Sequence, residues 1–186
     1  PPSLTAFISY AREDAAFAHA LDDALTGRSI RVLIDRSAIA PAEEFERRLD
    51  SMLLEADAVV FLMSPEALAS RYCQWEVARA EELQKRIVPV VWRDFDDTGY
   101  RPPEGLRKRN WIFFDAFQRL GPDAPTHIPA FIEPFEKVVT AISTDIGWQR
   151  SHTRHIARAE LWHARERPDA DFLLSSAEIN DAQAWA

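Results

Sequence analysis

Short runs of apolar residues alternate with helix-period segments along the first 145 residues of the chain. Each run is at most seven residues long and nearly all apolar, which is typical of strands buried on both faces of a sheet. The predicted strands are Leu4–Ser9, Ile30–Ile34, Asp57–Met63, Ile87–Trp92 and Asn110–Phe114.

Amphipathic segments separate these runs. In the first segment, Phe17, Leu21 and Leu25 recur every four residues and therefore share one face of a helix, which Asp14 is expected to cap. Further helices are predicted around residues 45–53, over about 73–85 and over 128–146. Alternation of strands and helices predicts an α/β fold: a flavodoxin-like five-stranded parallel sheet in the order 2-1-3-4-5, with helices on both faces.

Residues 146–186 follow a different pattern, with no visible pair of strands. Residues 148–167 predict a helix that ends before Pro168, and residues 176–185 predict a second one. We expect one domain over residues 1–145 and a C-terminal helical extension over residues 146–186. Because the last pattern is unfinished, we expect the chain to be cut from a longer protein with a further domain beyond residue 186.

The composition narrows the possible partners. A net charge of −8 argues against nucleic acid as the ligand, because phosphate binding needs an excess of Lys and Arg. Cys73 is the single cysteine, so a disulfide framework is excluded. No stretch of about 20 apolar residues and no signal-peptide pattern is present, which favours a cytoplasmic protein without membrane contact.

A ligand site is predicted at one edge of the sheet. In an open parallel sheet, ligands bind beyond the carboxyl ends of the strands, at the place where the strand order reverses. For the predicted order this crevice lies between strands one and three. The loop after strand one carries Ser9, Tyr10, Arg12, Glu13 and Asp14. The loop after strand three carries Ser64, Pro65, Glu66 and the segment Ser70–Glu76.

Glu76 is the most informative of these residues. At 100° per residue it falls within about 50° of the centre of the apolar face of its helix. One interpretation is that a carboxylate in the first turn complements the helix dipole. The other is that an inward-facing carboxylate beside a crevice carries chemistry.

Two other candidates are weaker. Cys73 lacks a histidine in the strand-end loops to activate it, so a buried structural thiol is favoured. His152 and His155, with His163, have helical spacing for a metal pair but lack a third ligand, and no metal is expected. The motifs of P-loop proteins, dinucleotide-binding dehydrogenases and α/β-hydrolases do not occur in the sequence.

Three segments in order resemble the boxes of a TIR (Toll/interleukin-1 receptor) domain, of the bacterial type. The first is Phe7-Ile8-Ser9-Tyr10 with Asp14. The second is Ile34-Asp35-Arg36-Ser37 followed by Ile39-Ala40-Pro41 and Phe45, which resembles the family's BB loop. The third is Ser64-Pro65 with Ser70-x-Tyr72-Cys73-x-x-Glu76. Two positions differ from the usual pattern: Ala42 stands where the BB loop has Gly, and Tyr72 stands where the third box has Trp.

The resemblance implies an enzyme that cleaves NAD⁺ at the bond between nicotinamide and ribose, with Glu76 as the catalytic residue. NAD⁺ would be the substrate, and no cofactor is implied. The implied substrate contacts are Ser9, Tyr10, Arg12, Asp35, Phe45, Ser64 and Tyr72. The implied assembly residues of the BB loop are Arg36, Ile39, Ala40 and Pro41.

The resemblance further implies activation by self-association with other TIR domains, as a homo-oligomer or filament, in bacterial immunity. One carboxylate is chemically sufficient, because nicotinamide departs as a neutral molecule and needs no general acid, unlike the leaving group of an ordinary glycosidase. The product can be linear ADP-ribose or a cyclic isomer, and the sequence leaves both open. The alternative function is a non-catalytic TIR–TIR signalling scaffold.

Overall fold

A computed structural model describes residues 4–34, 42–121, 124–164 and 174–183, with only the backbone described at 42–45, 181 and 182. The strands are β1 (Thr5–Ser9), β2 (Arg31–Ile34), β3 (Ala58–Met63), β4 (Arg86–Val91) and β5 (Ile112–Phe113). All pairs are parallel, and the order is β2-β1-β3-β4-β5. The predicted fold class and strand order are therefore confirmed.

The helices surround this sheet. They are α1 (Ala15–Gly27), α2 (Ala42–Glu55), α3 (Pro65–Ala69), α4 (Arg71–Glu82), α5 (Glu104–Arg107), α6 (Asp115–Gln118), α7 (Pro129–Ser143), α8 (Ile146–Ala164) and α9 (Ser176–Gln183). The sequence pattern missed α3, and it placed the start of α4 two residues too late. A break separates these two helices. Two serine caps create it: Ser64 Oγ accepts from the Ala67 N–H, and Ser70 Oγ accepts from the Cys73 N–H. Among the described residues, none of these helices is both long and apolar enough to cross a bilayer.

Alternate residues of the central strands point to opposite faces of the sheet, and each face has its own core. On one face, Ile8 of β1 and Val60 of β3 pack with α1 and α7. On the other, Phe7 and Val59 pack with α2 and α4. Because both faces are covered, the strands are apolar throughout, and the sequence pattern detects them well.

The extension packs on the domain through α8. The side chain of Gln149 is buried, and its Nε2 donates to the Gln84 carbonyl at 2.6 Å. The guanidinium of Arg150 donates two hydrogen bonds, of 2.6 and 2.7 Å, to the carboxylate of Asp57, which immediately precedes β3. The division at residue 145 stays a prediction. These contacts predict how much stability the domain loses when residues 146–186 are removed.

Removal of residues 146–186 is expected to leave a domain that unfolds cooperatively, with a melting temperature lower by about 5–10 °C. The loss arises because Asp57 is left without its guanidinium partner, although it still accepts from the Thr5 N–H at 2.9 Å. Thermal unfolding followed by circular dichroism measures the change, with Arg150→Met in the full chain as the matched variant. A truncated protein without a cooperative transition would show that α8 belongs to the domain core.

Candidate active site

The end of β1 meets the first half of α4 at the carboxyl edge of the sheet. Ser9, the last residue of β1, pairs in register with Phe61 of β3, so it marks the place where the strand order reverses. Its Oγ donates a hydrogen bond to Oε2 of Glu76. Ser9 is 1% exposed and Glu76 is 7% exposed. The predicted crevice therefore holds an oriented, largely desolvated carboxylate.

Local sequence explains why Glu76 points inward. Ser70 caps the N-terminus of α4, and the apolar positions that follow place Cys73, Val77 and Ala80 on the buried face of the helix. Glu76 lies on that same face, as its position in the helical pattern predicts. A charged side chain facing the core loses hydration, and the hydrogen bond from Ser9 offsets part of this cost.

Cys73 lies beside this carboxylate and is buried. Burial, together with the negative charge of Glu76, raises the pKa of the Cys73 thiol to about 12. A thiol with that pKa is almost fully protonated at neutral pH, and only the thiolate is an effective nucleophile. The interpretation of Cys73 as a structural thiol is the one that this environment favours.

We expect Cys73 to resist alkylation in the folded protein. At pH 8, iodoacetamide should modify it at least about 100-fold more slowly than in urea-unfolded protein, because burial and the raised pKa both reduce the reactive thiolate. Mass spectrometry of timed samples measures both rates. Similar rates in the folded and unfolded states would contradict the buried, protonated thiol.

The other predicted substrate contacts differ in their exposure, and some lie outside the described residues. Tyr72, four residues before it on α4, is 39% exposed, and the Arg71 guanidinium lies 5.7 Å from its ring centre. Arg12 is exposed in a 3₁₀ turn, and Tyr10 is half-buried against the core. The BB-loop residues, which are Asp35, Arg36, Ile39, Ala40 and Pro41, lie outside the described residues, as does the side chain of Phe45.

Ser64 has a structural role in a separate, buried network. It is fully buried, and its Oγ donates to the carboxylate of Asp14 while capping α3. The expectation that Asp14 caps α1 is wrong, because its side chain makes no capping hydrogen bond and binds Ser64 and Arg93 instead. The substrate contact of Ser64 stays a prediction.

Arg93, which the sequence reasoning missed, completes this network from the loop after β4. Its Nε donates to Asp14 Oδ1 at 2.9 Å, and both of its terminal nitrogens donate to the carboxylate of Glu66. One guanidinium therefore joins the segments that follow β1, β3 and β4. The available signal was an arginine two residues beyond the end of a buried strand.

The two carboxylates of the network respond differently to their surroundings. Burial raises the pKa of Asp14, although the hydrogen bonds from Ser64 and Arg93 oppose the rise. Burial also acts to raise the pKa of Glu66, but the bond from its own backbone N–H and those from Arg93 prevail, and the pKa is lowered. Asp14 is thus a buried charge that depends on its partners.

Histidine spacing on α8 suggested a metal pair only weakly. Within residues 4–34, 42–121, 124–164 and 174–183, no group of three His, Cys, Asp or Glu side chains is placed to hold a metal ion. The ring of His152 stacks on Trp148 instead, with centroids 4.8 Å apart.

Comparison with known proteins identifies the family to which this chain is similar. A family model described as "TIR domain" matches residues 6–125. A protein of Brachypodium distachyon named "Probable 2' cyclic ADP-D-ribose synthase BdTIR" is 31% identical over 75 residues, which cover 40% of this chain. The match spans 34% of that relative, about a third of its length.

Solved structures that are similar to this chain include TIR domains of two other proteins. The TIR domain of the Toll-related receptor TRR-2 from Hydra magnipapillata superposes with a TM-score of 0.54 at 18% identity, covering 73% of this chain and 97% of that one. The TIR domains of the activated Roq1 resistosome give a TM-score of 0.44 at 20% identity, covering 85% and 99%. With the family match over residues 6–125 and the TIR-like fold, the chain belongs to the TIR domain family.

Proposed function

We propose that this TIR domain cleaves NAD⁺ at the nicotinamide–ribose bond and that Glu76 is the catalytic residue. The observation that carries the proposal is the buried carboxylate of Glu76, held by Ser9 at the switch point of the sheet. The name of the Brachypodium relative, a probable cyclic ADP-ribose synthase, supports the same class of reaction.

The chemistry needs few groups. The bond between ribose C1′ and the nicotinamide nitrogen breaks, and its electron pair stays on that nitrogen, so the leaving group departs neutral. Positive charge then develops on the ribose, and Glu76 stabilises it from a desolvated position, where electrostatic interactions are strong. Attack by water gives ADP-ribose and releases one proton. Attack by an atom of the same molecule gives a cyclic product.

We propose three substrate contacts besides Glu76. Tyr72 and Tyr10 offer rings on which the planar bases of NAD⁺ stack. Arg12 offers a positive charge for the diphosphate in a chain whose net charge is −8. Ser9 holds the carboxylate of Glu76 in one orientation.

Incubation of NAD⁺ with concentrated protein, followed by chromatography and mass spectrometry, tests the proposed function. We expect release of nicotinamide together with ADP-ribose or a cyclic isomer, in equal molar amounts. The experiment includes samples crowded with polyethylene glycol to favour assembly. If protein that has assembled, as judged by light scattering, leaves NAD⁺ intact, the proposal fails and the non-catalytic scaffold is favoured.

We also propose that activity depends on self-association, so that activity per molecule rises with protein concentration. The predicted BB loop carries an apolar tip, Ile39-Ala40-Pro41, which buries too little area for a stable dimer, since specific interfaces need about 1,200–2,000 Å². We expect specific activity to rise at least about tenfold between 1 and 100 µM protein, since effective concentrations in assemblies reach the millimolar range.

Pro41→Asp places a charge at this tip and is expected to remove the rise. Pro125→Asp, at an exposed position outside the BB loop, is the matched control and should behave like the wild type. Specific activity that stays flat over the hundredfold range would show that one chain forms a complete site.

A further inference from the structure

A second cleft opens at the amino ends of β4 and β5, at the opposite edge of the sheet from Glu76. Its volume is about 570 Å³, which is within the usual range for small-molecule sites. The charged side chains that line it are Glu81, Lys85, Arg86, Lys108 and Arg109. The lining thus contains four basic residues and one acidic residue, in a chain whose overall charge is −8.

Two of the four cations have structural partners. Lys85 is buried, and its Nζ donates to the carbonyls of Leu54 and Ala56 at 3.1 and 2.6 Å, at the end of α2. Lys108 pairs with Glu104 at 2.7 Å on the surface. These two lysines are explained without a ligand.

The two arginines of the cleft lack comparable partners. The carboxylate nearest to Arg86 is that of Asp145, at 3.9 Å, and the buried Nε of Arg86 has no acceptor among the described residues. Arg109 donates from Nε to the Gly105 carbonyl at 2.9 Å, and no carboxylate of the described part of the chain lies within 4.0 Å of its guanidinium. Both guanidinium groups are thus short of negative charge.

The single acid of the cleft does not correct this shortage. The carboxylate of Glu81 lies against Gly105, in the space that a side-chain Cβ would take at that position. Helix α8 contributes Trp148, which is 39% exposed and whose ring stacks on that of His152. The cleft therefore combines two guanidinium groups with an indole.

We propose that this cleft binds a small molecule of the nucleoside diphosphate class. Guanidinium groups bind phosphate through paired hydrogen bonds, so Arg86 and Arg109 suit a diphosphate, and the indole of Trp148 suits a planar base. Since the cleft is formed partly by α8, the extension contributes directly to the site. The proposal does not depend on the proposed cleavage of NAD⁺.

Isothermal titration of the full chain with ADP, and separately with pyrophosphate, tests the proposal. We expect ADP to bind with a Kd below 1 mM, and the double variant Arg86→Gln/Arg109→Gln to weaken binding at least about tenfold. Arg101→Gln, at an exposed arginine outside the cleft, is the matched control and should bind like the wild type. Sodium chloride at equal ionic strength controls for general screening.

Two further variants keep the proposal falsifiable. Arg86→Lys/Arg109→Lys retains both positive charges. It tests the proposal even if the glutamine variant fails to fold. It is expected to bind ADP more weakly than the wild type, because an ammonium lacks the planar fork of a guanidinium. Arg12→Gln alters the predicted NAD⁺ crevice instead. No detectable ADP binding to the wild type, or binding that Arg12→Gln removes while both cleft variants keep it, would overturn the proposal.

Discussion

Glu76→Gln is expected to lower NAD⁺ cleavage by at least about 100-fold while the domain stays folded. Glutamine has the same shape and still accepts the hydrogen bond from Ser9, so the local packing survives. It carries no charge, however, and the positive charge that develops on the ribose loses its stabilising partner. Removal of one preorganised electrostatic group commonly costs about 10²–10³ in rate.

The measurement compares initial rates of nicotinamide release at the protein concentration where the wild type is active. Glu82→Gln is the matched control, since Glu82 is an exposed acid of the same helix that pairs weakly with Arg79. It should retain nearly full activity. Equal rates for the wild type and Glu76→Gln would remove Glu76 from the chemistry, whatever the mechanism of cleavage.

The sheet could be predicted because the same apolar pattern recurs at each of its strands. Strands covered on both faces, such as β3 with its six fully buried residues, must be apolar throughout. The inward position of Glu76 was predictable for a similar reason, since helical periodicity places residues on a face without any knowledge of the partner.

Contacts between segments that are distant in the chain produce no recurring pattern in the sequence, so they could not be predicted. Asp14 immediately precedes a helix, and aspartate is a common capping residue. Its carboxylate nevertheless binds Arg93, 79 positions later in the chain. The choice between a local cap and a distant guanidinium depends on which loops meet at the sheet edge. The docking of α8 through Arg150 and Asp57 is likewise a long-range ion pair between two ordinary surface residue types.

Arg93→Met is expected to lower the free energy of unfolding by about 3 kcal/mol at pH 7.5. The side chain of Asp14 has no exposed surface, and without Arg93 only Ser64 remains, among the described residues, as a donor to the charged carboxylate. Removing one partner of a buried ion pair typically costs about 3–5 kcal/mol, and we take the lower end because Arg93 is itself 29% exposed. Urea unfolding measures the loss.

The pH dependence separates a buried unpaired charge from a loss of packing. Burial already holds the pKa of Asp14 above its ordinary value, and loss of Arg93 raises it further. A folded-state pKa above the unfolded value means that the folded state binds the proton more tightly, so stability rises as the pH falls through that range. The deficit of Arg93→Met should therefore shrink between pH 7.5 and pH 5.

Neutralising the carboxylate provides the final comparison. Asp14→Asn/Arg93→Met leaves no buried charge without a partner, so the double variant should be more stable than Arg93→Met alone at pH 7.5. Its own stability should lack the rise at low pH that the Asp14 carboxyl causes. Arg101→Met, at an exposed position, should change stability by no more than about 0.5 kcal/mol. A double variant that is less stable than Arg93→Met would mean that the network stabilises the domain through packing. The Asp14–Arg93 ion pair would then lose the stabilising role assigned to it.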